Sequence, residues 1–147
     1  MHGSKISAIE YFLPKNVENN KIFKKNNPGV NIERIKAKTG INNRYISNEN
    51  ETVIDISLKA IKKILKKFPK KKIDFLILVS QTSNFRIPTS ACIIQNKLDL
   101  RKDIIAFDIN LGCSGFIYAL RMASSLIESR QVNNGIIVCA DTYTKHI

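Results

Sequence analysis

Residues Ile109 to Phe116 read INLGCSGF, a cysteine set between two glycines. An apolar run, Ile104–Asn110, precedes it and a helical pattern, Cys113–Ser129, follows. Cys113 therefore falls at a strand-to-helix turn. Its sulfur would face the unpaired N–H groups of a first helical turn and the positive end of the helix dipole. Both favour thiolate, the reactive form of cysteine. The carboxyl end of a parallel strand is also where α/β sheets place their sites. Gly112 is read as permitting a tight turn with positive φ, and Gly115 as leaving room for a substrate beside the sulfur. Free cysteine is more often a small packing residue, but the glycine-flanked turn favours a nucleophile. The GxSxG of hydrolase elbows is absent.

Cys92, in a helical stretch, and Cys139, in an apolar run, read as packing residues, and a redox pair of Cys113 with Cys92 has no motif behind it. Three cysteines without a CxxC disfavour a disulfide framework or a zinc ribbon. A reduced, cytoplasmic setting is expected. A thiolate also needs an acid–base partner and an oxyanion hole. The two histidines, His2 and His146, sit at the termini, and neither is assigned a catalytic role.

The elements that must position Cys113 follow from pattern. Lys5–Leu13 reads as a first strand closed by Pro14. Short helices are expected at Asn20–Asn26 and Ile32–Lys38, the second ending at Gly40. Ile41–Ile46 reads as extended. Ile54, Leu58, Ile61, Leu65 and Phe68 recur at helical spacing after Thr52, and Pro69 ends that helix. Ile73–Ser80 and Ile136–Ala140 are near-continuous apolar runs, the mark of strands covered on both faces. Thr89 is the expected cap of a helix to Leu98, and Phe116, Leu120, Ala123 and Ile127 form the expected inner face of the helix after Cys113. Alternating strands and helices predict an α/β fold, a mostly parallel mixed sheet with helices on both faces.

The 147 residues suit one domain with a substantial core. No apolar stretch reaches the ~18 residues of a membrane-spanning helix. The formal net charge of +12 invites a polyanionic partner: nucleic acid, an anionic membrane or an acidic carrier protein. Its lysines concentrate on one helix and its exit (Lys62, Lys63, Lys66, Lys67 and Lys70 to Lys72), which reads as a solvated face. No nucleic-acid motif accompanies them, so nucleic acid is disfavoured. A non-catalytic basic domain, binding a polyanion or assembling with another chain, is the alternative reading.

Five ordered stretches carry a resemblance: KISAIEYFLP, KTGINNRYI (Lys38–Ile46), NETV (Asn50–Val53), IPTSACIIQ (Ile87–Gln95) and AFDINLGCSGFIYAL (Ala106–Leu120). Together the chain resembles the N-terminal half of β-ketoacyl-acyl carrier protein synthase III, in the thiolase superfamily. The resemblance implies an acyltransferase of fatty acid or related biosynthesis. Cys113 would take an acyl group from coenzyme A as a thioester. Malonyl-acyl carrier protein would then lose carbon dioxide, and its carbanion would attack that thioester, without a further cofactor. A homodimer is also implied.

The resemblance places Lys38 and Arg44 in the segment that contacts coenzyme A, Lys38 replacing a common arginine. Arg34 stands where a tryptophan commonly stacks on adenine, and arginine can stack too. Ile87 falls where a residue enters the partner subunit's acyl pocket, usually as a bulkier aromatic. Family members are about twice as long, and their catalytic histidine and asparagine come from the second half. Residues 1–147 are accordingly expected to be an N-terminal thiolase-like domain, accepting acyl groups weakly and not condensing them alone.

Overall fold

A computed structural model describes residues 3–145. His2 and His146, set aside above as catalytic partners, lie outside the described residues. Along the chain run β1 (Asn16–Asn19), α1 (Asn20–Asn26), α2 (Ile32–Thr39), β2 (Asn43–Ile46), α3 (Val53–Leu65), β3 (Phe75–Val79), α4 (Ser90–Lys97), β4 (Ile105–Ile109), α5 (Gly115–Glu128) and β5 (Gly135–Cys139). β3 is the centre of a parallel three-stranded sheet, with β4 on one side and β5 on the other. β1 and β2 form a separate antiparallel pair. The expected α/β architecture is present, with its antiparallel part in a ribbon of its own.

All five residues of β3 are buried, as its unbroken apolar run requires. Strand alternation sends Leu76 and Leu78 to one face and Phe75, Ile77 and Val79 to the other. The first pair joins Ile136 and Val138 of β5, Val53, Ile54 and Ile61 of α3, and Ala91 and Ile94 of α4. The second set packs on Ala119 and Ala123 of α5. Each large aliphatic side chain so buried contributes about 1.5–3 kcal/mol.

Three local signals act as the sequence foretells. Thr52 caps α3: its hydroxyl accepts from the Asp55 N–H, and the Asp55 carboxylate accepts from the Thr52 N–H. Gly40 ends α2 with φ of 70°, the left-handed conformation glycine adopts without strain. The expected helix from Asn20 to Asn26 is present, capped by the Asn19 side chain.

The first expected strand, Lys5–Leu13, is not a strand. Its period-two alternation survives, with Ala8, Glu10 and Phe12 half-buried and Ile9, Tyr11 and Leu13 exposed. However, no ladder forms along it. It is held instead by the lysines of α3: Lys63 Nζ donates to the Tyr11 carbonyl at 2.7 Å, Lys67 pairs with Glu10 at 2.6 Å, and Lys59 sits 4.5 Å over the Phe12 ring. A cleft of about 420 Å³ runs between Glu10–Pro14, α3 and β5. The segment thus stands off the sheet edge and its backbone finds no strand to pair with. The lysine stripe read as solvated has this second use.

α5 also differs from expectation. Gly115, Ala119 and Ala123 are its buried residues, whereas Phe116 is 43% exposed. The expected Ala123 and Ile127 do face the core, but at the start of α5 the buried positions are Gly115 and Ala119 rather than Phe116 and Leu120, because the helix begins close on Val79 of β3.

Candidate active site

Cys113 lies exposed in the turn between β4 and α5, not in the helix itself. The Gly115 N–H donates to the Gly112 carbonyl at 2.8 Å, closing the turn around it. Ser114 takes the N-cap position of α5, yet its side chain makes no capping hydrogen bond. The first-turn N–H groups are therefore left uncapped by it beside Cys113, and the dipole of the 14-residue helix ends there. A helix terminus of this kind can stabilise negative charge that develops beside it.

Both glycine readings are corrected. Among the described residues only Gly40 is a glycine with positive φ, so Gly112 does not need glycine for its dihedrals. Space does not demand it either: a Cβ there would lie 2.8 Å from Gln81 Oε1, the free end of an exposed side chain that can turn aside. Gly115 does not open room for substrate either. Its missing side chain lets α5 touch Val79, whose Cγ1 would be 2.4 Å from a Cβ at that position.

A cavity of about 270 Å³ opens at the carboxyl ends of the strands, lined by Val79, Gly112, Cys113, Phe116, Cys139 and Asp141 among others. The loops around it are tied by one carboxylate oxygen. Asp141 Oδ1 accepts from the N–H groups of Gln81 (2.8 Å) and Thr82 (3.1 Å) and from the hydroxyls of Ser80 (3.2 Å) and Thr82 (2.9 Å). The exit of β5 is thus pinned to the exit of β3. Tyr143 donates its phenol to Gln81 Oε1, next to Gly112. Desolvation, then the Asp141 charge and the Cys113 sulfur, hold that phenol above the ordinary tyrosine value. Cys139 is pushed up as well, by burial first and Asp141 second.

Cys139, read from sequence as packing, is exposed at the end of β5 and faces this cavity. Cys92 is the packing cysteine: half-buried on α4, its Sγ donates to the Ala106 carbonyl at 3.7 Å. The expected Thr89 cap of α4 is also displaced. Thr89 stands at the N-cap without a side-chain bond, and its buried Oγ1 has no partner. Asp108 of β4 does the capping, each carboxylate oxygen accepting one N–H at 2.8 Å, from Ser90 and Ala91. The loop bearing Ile87 is thereby anchored to the strand that leads to Cys113.

The other sequence-chosen residues are not brought to the cavity lining. Arg34 and Lys38 are exposed on α2. Arg44, on β2, is half-buried; its Nη1 donates to Asn20 at 2.9 Å and its guanidinium lies 4.1 Å over the Phe23 ring. It braces α1 against the ribbon. Ile87 is 92% exposed, more than a core or loop-packing residue would be. Gln81, Cys139, Asp141 and Tyr143 were missed. The signal that finds Cys113, position just past a parallel strand, applies equally to the exits of β3 and β5. Among the described residues no cluster of three or more His, Cys, Asp or Glu side chains offers a metal site.

A family model described as 3-oxoacyl-[acyl-carrier-protein (ACP)] synthase III matches residues 107–147. The β-ketoacyl-[acyl-carrier-protein] synthase III of Clostridium perfringens (strain 13 / Type A) is 38% identical over 148 residues, 99% of this chain and 44% of its own length. That of Acholeplasma laidlawii is 40% identical over 137 residues, covering 91% of this chain and 44% of its own. Among solved structures, the 3-oxoacyl-(acyl-carrier protein) synthase of Burkholderia xenovorans superposes with a TM-score of 0.90 at 31% identity, over 99% of this chain and 42% of that one. The synthase III of Aquifex aeolicus gives 0.88 at 36% identity, over 97% and 46%. The chain spans less than half the length of these relatives.

Proposed function

We propose that this chain, which in sequence and fold matches the N-terminal half of β-ketoacyl-[acyl-carrier-protein] synthase III, carries the nucleophile of a decarboxylative condensing acyltransferase. The observation that carries the reading is Cys113, exposed in the turn before a helix whose N-terminus is not capped by Ser114. In the first half-reaction the Cys113 thiolate attacks the carbonyl carbon of an acyl-coenzyme A. The carbon–sulfur bond to coenzyme A breaks, coenzyme A leaves as its thiol with a proton, and the acyl group stays on Cys113. In the second, the malonyl group on acyl carrier protein loses carbon dioxide, its carbanion attacks that thioester, and the Cys113 thiolate leaves. The Cys113 backbone N–H stabilises part of the oxyanion of both steps, and neither step draws on a further cofactor.

Lys38 on α2 and Arg44 on β2 are assigned to contact coenzyme A, and Arg34, exposed on α2, to stack on its adenine. Ile87, projecting from its anchored loop, is assigned to the acyl pocket of a second subunit in a homodimer. The net charge of +12 suits an acidic carrier protein. A cytoplasmic location follows from that pathway; among the described residues no helix is long and apolar enough to cross a membrane.

Incubation with acetyl-coenzyme A and intact-mass analysis tests the first half-reaction. One acetyl adduct is expected, absent in Cys113→Ser. An adduct that survives Cys113→Ser and vanishes in Cys92→Ser overturns the assignment.

A further inference from the structure

Three observations bring Cys139 to Cys113. Val79 and Cys139 are cross-strand partners in the β3–β5 register. On β5, Ile136 and Val138 enter the core beneath α3 and α4, while Ile137 packs with the cluster under α5. Alternation therefore turns Cys139 to the α5 side, the side Val79 also faces. Finally, Gly115, where the turn carrying Cys113 ends, rests on Val79. Both cysteines line the 270 Å³ cavity together with Val79, and both are exposed. Cys113 sits in a turn and Cys139 is the last residue of its strand, so neither is fixed by the middle of an element.

We propose that Cys113 and Cys139 form a reversible redox pair, with Cys113 oxidised by a hydroperoxide and Cys139 resolving it as a disulfide. In the first step the Cys113 thiolate attacks one peroxide oxygen. The O–O bond breaks, Cys113 becomes a sulfenic acid, and the other oxygen leaves as water or an alcohol. In the second, the Cys139 sulfur attacks the Cys113 sulfur. The S–O bond breaks, the S–S bond forms, and the hydroxyl leaves as water with the Cys139 proton. Two thiols have lost two hydrogens and two electrons to one peroxide.

The environments divide the roles. Cys113, exposed in the turn before α5, is the sulfur assigned to meet the peroxide. Cys139, whose thiol is raised by partial desolvation first and Asp141 second, is assigned the resolving role. The disulfide spares Cys113 irreversible over-oxidation. The pairing itself rests on geometry alone; only its consequence, a masked nucleophile that a reducing thiol restores, rests on the acyl-transfer reading above.

The test treats the 147-residue chain with one equivalent of hydrogen peroxide, followed by non-reducing peptide mapping. A monomeric Cys113–Cys139 disulfide is expected, reversed by dithiothreitol and unaffected by Cys92→Ser. In Cys139→Ser a dimedone-reactive sulfenic acid at Cys113 should persist and pass on to sulfinic acid. Phenylarsine oxide, which bridges neighbouring thiols without oxidation, should add one arsenic across Cys113 and Cys139 and lose that bridge in Cys139→Ser. A disulfide containing Cys92, only intermolecular disulfides, or an unchanged Cys113 fate in Cys139→Ser overturns the pairing. A disulfide without an acetyl adduct defeats the acyl-transfer reading alone, and the adduct without the disulfide defeats this pairing alone.

Discussion

Gly115 rests on Val79: a Cβ at residue 115 would stand 2.4 Å from Val79 Cγ1. No two non-bonded carbons tolerate that approach, so the separation of α5 from β3 depends on a missing methyl group. Gly115→Ala is expected to push the start of α5 outward and to destabilise the chain by about 1–3 kcal/mol, the usual cost of overpacking. Thermal unfolding measures the loss. Alkylation of Cys113 by iodoacetamide should change with it, because the uncapped turn moves; unchanged stability and rate would remove Gly115 from the architecture of the site.

Asp141 offers one oxygen to four donors from Ser80, Gln81 and Thr82. Asp141→Ala leaves those donors without their acceptor, three of them part-buried, and should cost about 1–3 kcal/mol. Asp141→Asn keeps a carbonyl acceptor in place and should cost less. Both variants remove the negative charge that, after burial, raises the Cys139 thiol. The pH midpoint for alkylation of Cys139 should therefore fall in both. A midpoint that stays fixed would show the charge to be screened from the sulfur.

Asp108 holds α4 from a distant part of the sequence. Its two oxygens satisfy the Ser90 and Ala91 N–H groups, in place of the local cap Thr89 does not provide. Asp108→Ala is expected to cost about 1–2 kcal/mol, as loss of a good N-cap does. It should also raise hydrogen exchange at Ser90 and Ala91 and through the loop to Ile87, while α3 stays protected. Equal loosening of α3 would point to general unfolding instead.

These contacts mark what the sequence carries and what it hides. The apolar runs of β3 and β5, the stripe of α3 and the cysteine at the β4–α5 turn are written in neighbouring residues, where period and turn chemistry act. The cap of α4 is not, because Asp108 lies 18 residues from Ser90. The face of α5 was misjudged at its start for a related reason. Hydrophobic periodicity favours Phe116 and Leu120, but close packing on β3 selects Gly115 and Ala119. Lys5–Leu13 kept the alternation of a strand, and whether such a segment pairs depends on what lies beside it. Cys139 looked like packing because an apolar run does not reveal which strand lies at the sheet edge.

The capping box of α3 gives the fold an acid-sensitive point. The Thr52 hydroxyl and N–H donate to the Asp55 carboxylate, and these bonds hold its pKa below the ordinary aspartate value, against a smaller opposing effect of burial. Asp74 is lowered too: burial opposes its ionisation, but the Asn133 and Asn134 N–H groups and Arg101 outweigh it. For a carboxyl whose folded value is depressed, the unfolded chain binds protons first. The stabilisation is therefore complete above the ordinary range near about pH 4 and disappears as pH falls through the lowered folded values. Unfolding midpoints in urea should be flat from neutral pH to about 5 and then drop. Thr52→Ala should cost about 1 kcal/mol at neutral pH and reduce the acid drop without abolishing it, since the residue-52 N–H still donates to Asp55 and Asp74 is untouched. A Thr52→Ala chain that loses stability equally at every pH would show the hydroxyl to be the whole cap, with the carboxylate adding nothing.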